Sequence, residues 1–181
     1  MKKSFLIALT IVASIWVVFI VNQLVTIDFN HYGILPRSKS GIKGILFAPF
    51  LHLNFLHLMS NTIPLLVLTT VLFWMYEKVA VRVLVLSALM GGLLVWLFAR
   101  TSIHIGASGV IFSLVGFLIA SGIFRKKIKA ILIGIVIFFL YGGIIWGILP
   151  TQQGVSWEGH LFGLISGVAL AYIFKDTQEK D

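Results

Sequence analysis

The chain has 181 residues, of which 59% are apolar and 11% are charged, and its mean hydropathy is +1.06. A soluble domain usually has about 25% charged and about 45–50% apolar residues, so this composition excludes a water-soluble globular fold. It also excludes a disordered chain, which requires low hydrophobicity and high charge. The composition therefore predicts a polytopic membrane protein of the all-α class.

The net charge of +8 comes from 14 Lys and Arg residues against 6 Asp and Glu residues. In a membrane protein such an excess usually reflects topology and contact with anionic headgroups. No soluble segment carries a basic face, so we expect no nucleic-acid partner. The absence of cysteine excludes disulfides, thiolate metal ligands and a cysteine nucleophile.

Six apolar stretches approach the length of about 20 residues that a membrane-spanning helix needs. The predicted spans cover residues 5–25, 57–76, 79–99, 108–124, 130–149 and 160–174. Residues 26–56 form the one long connection, an outer loop. The Met-Lys-Lys start resembles a signal peptide, but no Ala-x-Ala cleavage site follows, so we expect a retained helix. The prediction is a single membrane domain over residues 1–181.

The distribution of basic residues predicts the orientation of this six-helix bundle. With the N-terminus inside, ten basic residues lie on the cytoplasmic side and four lie outside, which accounts for all 14. The inner set is Lys2, Lys3, Lys78, Arg82, Arg125, Lys126, Lys127, Lys129, Lys175 and Lys180, and the outer set is Arg37, Lys39, Lys43 and Arg100. The positive-inside rule therefore predicts that both termini are cytoplasmic.

Polar residues inside predicted spans are candidates for function, because burying them in a bilayer is costly. His57 and Asn61 lie on span two, Ser108 on span four and His160 on span six. These spans all run from outside to inside, so the four residues share the outer end of the membrane. From Ser108 to Arg125 is about 17 residues, or ~25 Å, which is less than the ~30 Å hydrocarbon core. The pattern predicts a recessed, water-filled site.

Small residues on spans four and six predict that the two helices pack closely. Gly109 and Gly116 lie on span four, and Gly159, Gly163 and Gly167 recur every fourth residue on span six. If these faces meet, Ser108 and His160 come within hydrogen-bond reach, as a nucleophile and its general base. Ser108 also begins a helix, whose free N–H groups can hold an oxyanion.

Two further side chains can serve the same oxyanion. His57 and Asn61 are four residues apart and share one helix face, and both can donate hydrogen bonds. No carboxylate lies at this depth on another span, so a dyad is favoured over a triad.

These residues resemble the motifs of the rhomboid intramembrane serine proteases. The resemblance rests on residues 57–61 (His-Leu-Met-Ser-Asn), residues 106–109 (Gly-Ala-Ser-Gly), and the Gly159-His160 pair followed by two spaced glycines. It implies that Ser108 is the nucleophile, that His160 is its base, and that His57, Asn61 and the Ser108 N–H form the oxyanion hole. The resemblance assigns supporting packing to Gly106, Gly109, Phe112, Gly163 and Gly167.

The chain departs from the family pattern at two places. Family members often have Tyr four residues after the serine, where this chain has Phe112. Many members also have a Trp-Arg pair in the first outer loop, and this chain lacks one. The resemblance implies that the substrates are single-span or polytopic membrane proteins and that the protein lies in the cell membrane. The compact form of the chain favours the plasma membrane of a bacterium.

The sequence is compatible with three functions: an intramembrane serine protease, a catalytically inactive rhomboid-like protein that binds membrane clients, and a transporter or metal-dependent membrane enzyme. An inactive relative normally lacks the serine or the histidine. His-Glu-x-x-His and a carboxylate pair are absent, as are inverted repeats, which disfavours the third class. We expect no metal and no cofactor. The lipid bilayer is expected as a partner in addition to any substrate.

The remaining polar residues of the outer side receive no catalytic role. His31, His52 and His104 are expected to be solvated or interfacial loop residues. Glu158 is expected at headgroup level or as a loop-capping residue. Trp157 and residues 151–156 are expected to form a cap over the site.

Overall fold

The structure, a computed structural model, describes residues 1–150 and 155–177. Its α-helices are α1 (Lys2–Leu24), α2 (Gly44–Phe47), α3 (Phe55–Met75), α4 (Ala80–Phe98), α5 (Ser108–Arg125), α6 (Ile128–Tyr141) and α7 (Trp157–Ile173). Four of them, α1, α3, α4 and α5, are long and apolar enough to cross a membrane. The fold is that of a helical membrane protein.

Helix α5 is the centre of the bundle. Most of its residues are buried, and it packs against α3, α4, α6 and most extensively α7. Glycine makes the α5–α7 approach possible, because a Cβ at Gly163 would collide with the carbonyl of Gly109, and a Cβ at Gly167 with that of Ser113. The two small-residue faces therefore meet as the spacing predicted.

The loop over residues 26–56, which the sequence predicts to be an outer loop, is folded rather than extended. It contains 3₁₀ turns at Phe29–Tyr32 and Ala48–Phe50 on either side of α2. Ile34 exchanges two backbone hydrogen bonds of 2.9 Å with His104, which lies in the loop before α5. Burial of Ile45, Ala48 and Leu51 explains why this apolar loop folds onto the bundle instead of lying free.

The fifth predicted span is divided in two. Helix α6 ends at Tyr141, and a 3₁₀ segment continues over Gly142–Ile148. Three glycines in this segment weaken the α-helix because glycine loses the most backbone entropy on ordering. The change in pitch brings the carbonyl oxygen of Gly147 to the side chain of His160.

Candidate active site

Ser108 is the first residue of α5, at the point where the loop after α4 enters the bundle. It is half-buried, has no hydrogen-bond partner among the described residues, and lines a cavity of about 50 Å³ together with Gly109 and Gly159. The first intrahelical hydrogen bond runs from the N–H of Ile111 to the carbonyl of Ala107. The N–H groups of the first turn are therefore free to face an oxyanion.

His160 lies in the first turn of α7, and two contacts fix its ring. Its Nδ1 is 2.9 Å from the carbonyl oxygen of Gly147, and its ring stacks on Phe112 at a centroid distance of 4.1 Å and an angle of 5°. A carbonyl can only accept, so Nδ1 carries the hydrogen of this bond. Nε2 is then the nitrogen available as a base.

The structure brings α5 and α7 together but does not record a hydrogen bond between Ser108 and His160 in the described part of the chain. Catalytic hydrogen bonds are often long or poorly aligned in the absence of substrate. The expectation that the two side chains bond to each other stays a prediction.

His57 contacts the loop before Ser108 through Gly106. A Cβ built at Gly106 would lie 2.7 Å from His57 Nε2 and 3.7 Å from Ser108 Oγ. Both side chains therefore lie next to the same unoccupied position. Gly106 also has φ +116°, a conformation that other residues rarely adopt. Glycine is required there on both grounds.

Asn61 is buried, and its side-chain amide donates a 2.8 Å hydrogen bond to the carbonyl of His57, one turn earlier in α3. This bond ties the two residues together on the face predicted from their spacing. One N–H of Asn61 is used by that bond, and its second N–H is the one that can serve a ligand.

His52 is a site neighbour that the sequence analysis missed. It is 1% exposed, and its ring packs edge-on against His57 at 5.0 Å. Burial, reinforced by the proximity of His57, lowers the pKa of His52 to about 4. The expectation of a solvated or interfacial loop histidine is wrong here, because the loop over residues 26–56 folds over the residue and buries it within the protein. The sequence signal for its proximity to the site was its position five residues before His57, next to the start of α3.

The same expectation is wrong for His104, which is 4% exposed, whereas His31 is exposed as expected. His104 Nε2 lies 3.1 Å from the carbonyl of Arg100, and its Nδ1 lies 2.6 Å from the hydroxyl of Ser156. Burial lowers the pKa of His104. The neutral ring, with its hydrogen on Nε2, accepts from the Ser156 hydroxyl.

Glu158 is buried, so it does not lie at headgroup level, and its contact with a backbone N–H fits the other expectation, a loop-capping residue. Its carboxylate accepts from the backbone N–H of Arg100 and lies 3.4 Å from Arg100 Nε. The Arg100 guanidinium also donates to the carbonyl of Val155 at 2.7 Å. We call Arg100, His104, Ser156 and Glu158 the polar clamp, because they join the loop before Ser108 to the turn before His160.

The predicted cap over the site is described only in part, since residues 151–154 lie outside the described residues. Ser156 has a defined role, because its hydroxyl accepts from the N–H of Gly159 at 3.1 Å and caps α7.

Comparison with known proteins places these motifs in a family. Residues 39–177 match the model of the Rhomboid domain. An uncharacterized protein of Mycobacterium tuberculosis is 40% identical over 181 residues, which covers 95% of this chain and 75% of the relative. An uncharacterized protein of Mycobacterium leprae is 37% identical over 182 residues, with 95% and 72% covered. The RHOMBOID-like protein 1 of Arabidopsis thaliana is 30% identical over 131 residues, with 69% of this chain and 32% of that protein covered.

Proposed function

Because the chain belongs to the rhomboid family, we propose that it is an intramembrane serine endopeptidase whose dyad is Ser108 and His160. The observation that carries the proposal is the fixed ring of His160. Gly147 accepts from Nδ1 and Phe112 stacks on the ring, so Nε2 is left as the base on the helix that packs against α5.

The proposed reaction uses the same two groups in both halves. Ser108 Oγ attacks the carbonyl carbon of the substrate while its proton passes to His160 Nε2. His160 then gives that proton to the leaving amine as the C–N bond breaks. Water attacks the resulting ester and its proton passes to Nε2. Nε2 then returns that proton to Ser108 Oγ as the bond between Oγ and the acyl carbon breaks and the second product leaves as an acid.

We assign the oxyanion hole to the free N–H groups at the start of α5 with His57 and Asn61. The absence of a side chain at Gly106 supports this assignment, because it leaves space for an oxyanion next to both His57 Nε2 and Ser108 Oγ. The hydrogen bond between Asn61 and the His57 carbonyl supports it as well, since it holds the two donors on one face of α3.

The proposed topology has six spans with both termini in the cytoplasm. Helices α6 and α7 have 14 and 17 residues, so they would cross a locally thin or covered region. The site then lies below the outer surface of a bacterial plasma membrane. Its substrates are transmembrane segments that unwind at their outer end, because an intact helix hides its carbonyls in hydrogen bonds.

The alternative is an inactive relative that binds membrane clients, and the unpartnered hydroxyl of Ser108 is the observation compatible with it. Labelling of the purified protein with a serine-reactive fluorophosphonate separates the two. We expect labelling of the native protein and of Ser102→Ala, which changes an exposed serine in the loop before α5, but not of Ser108→Ala. Cleavage of a reconstituted transmembrane substrate should follow the same order. Equal labelling of the native protein and Ser108→Ala would contradict the protease.

A further inference from the structure

A second cavity, separate from the candidate dyad, lies between α1 and α4 beneath α2. Its volume is about 240 Å³, and apart from Ser14 its lining is apolar. Ile11 and Ile15 of α1 form one wall, and Leu84, Ala88 and Leu89 of α4 form the other. Leu46 and Phe50 of the outer loop cover its top.

The lining restricts what can occupy this cavity. Ser14 is its one polar residue, and the Ser14 hydroxyl already donates to the carbonyl of Ile11 at 2.6 Å. An ordered buried water needs about two to four polar partners, so this lining does not hold one. A flexible hydrocarbon chain needs no polar partner and packs favourably against such a lining.

The entrance lies on the lipid-facing surface. Leu46 is 61% exposed and Val85 is 50% exposed, and both also line the cavity. In a membrane protein this surface meets acyl chains, which are present at high concentration and are as apolar as the cavity lining.

Lys43 places a positive charge near the entrance of the cavity. Lys43 precedes α2, is exposed, and has no ion-pair partner in the described ranges 1–150 and 155–177. Its carbonyl accepts from the N–H of Leu46 at 3.1 Å, so its side chain begins one turn from the entrance. A lysine near the bilayer surface attracts anionic lipid.

We propose that this cavity binds one acyl chain of an anionic phospholipid, with the lipid phosphate at Lys43. The back of the cavity is formed by Ala107 and Val110, on either side of the Ser108–Gly109 pair. A bound chain therefore packs against the start of α5 and supports the segment that carries Ser108.

The test measures lipid retained by the full chain after release from nanodiscs, by native mass spectrometry. Nanodiscs contain phosphatidylglycerol and phosphatidylcholine in equal amounts. We expect one retained phosphatidylglycerol per native chain. Val85→Trp closes the entrance and should reduce retention at least tenfold. Val81→Trp, one turn away and 60% exposed but not lining the cavity, should retain lipid normally.

Two more variants keep the proposal testable if Val85→Trp fails to fold. Ala88→Phe fills the cavity from inside and should also lose the lipid. Lys43→Gln should reduce the preference for phosphatidylglycerol about fivefold, which is the value of one lysine near the bilayer surface. Equal retention by native protein, Val85→Trp and Ala88→Phe would overturn the proposal, as would equal retention of both lipids by the native chain. A change in oligomeric state of Val85→Trp with unchanged lipid would indicate a second copy as the occupant and would also overturn it.

Discussion

His104 and Ser156, 52 residues apart, are joined by a contact of 2.6 Å between the imidazole Nδ1 and the serine hydroxyl. The Arg100 carbonyl faces Nε2 and requires the hydrogen there, so the Ser156 hydroxyl donates to Nδ1. The same hydroxyl accepts from the N–H of Gly159. One buried histidine therefore connects the loop that leads to Ser108 with the helix cap that precedes His160.

The polar clamp yields a prediction about Arg100 and Glu158. Arg100→Ala leaves the buried carboxylate of Glu158 without its half-exposed cation, and a buried charge left unpaired is more costly than removal of both charges. We expect Arg100→Ala to lower the melting temperature more than Glu158→Gln, and the double variant to recover part of the loss. Thermal unfolding in detergent measures the effect. Losses that simply add in the double variant would contradict the pairing.

The stack of Phe112 on His160 predicts a change in turnover. Aromatic pairs contribute about 0.5–1.5 kcal/mol, so Phe112→Ala should lower kcat about 2- to 12-fold through misorientation of the base. Phe112→Tyr keeps the ring and should stay close to the native rate. KM for a reconstituted substrate should change little in either variant. A full rate in Phe112→Ala would show that the Gly147 carbonyl alone orients His160.

Residues at regular spacing could be predicted from the sequence, and residues that depend on loop folding could not. The glycines of α5 and α7 recur at helical intervals, so the meeting of Gly109 with Gly163 follows from pattern alone. Four of the apolar spans could be predicted as well, because each is a continuous apolar run long enough to cross a membrane. His52 and His104 are not part of any helical spacing pattern, and their burial results from a predicted outer loop that folds back on the bundle. The pairing of Glu158 with Arg100 joins residues 58 apart in sequence, so no local sequence pattern predicts it.

The proposed topology can be tested directly because the chain has no native cysteine. Thr101→Cys lies in the exposed loop before α5, and Lys127→Cys lies between α5 and α6. A membrane-impermeant thiol reagent added to intact cells should label the first variant and not the second. In inverted vesicles the order should reverse. Labelling of Lys127→Cys from outside would contradict the position of the site at the outer end.

The lowered pKa of His52 predicts a dependence of stability on pH. Between pH 4 and pH 6.5 the unfolded chain binds a proton at His52 that the folded chain does not, so stability falls as pH decreases. The contribution is about 1.4 kcal/mol per pH unit in that window. His52→Phe should flatten the fall in melting temperature from pH 6.5 to pH 4.5. His31→Phe, at an exposed position, should leave the slope unchanged. Parallel curves for the native protein and His52→Phe would contradict the assignment.

The approach of α5 and α7 predicts a graded response to Gly→Ala substitutions. Gly163→Ala places a methyl group against the carbonyl of Gly109, and overpacking of this kind costs about 1–3 kcal/mol or more. Gly109→Ala meets the carbonyl of Gly159 at 3.3 Å and should cost less. Gly143→Ala is the matched control, because nothing lies within 4 Å of its Cβ position, and alanine there should be neutral or slightly stabilising. Melting temperatures in one detergent should therefore rank Gly143→Ala above Gly109→Ala above Gly163→Ala. If Gly163→Ala has the same melting temperature as Gly143→Ala, helices α5 and α7 do not pack at this distance. The pairing of Ser108 with His160 then loses its support.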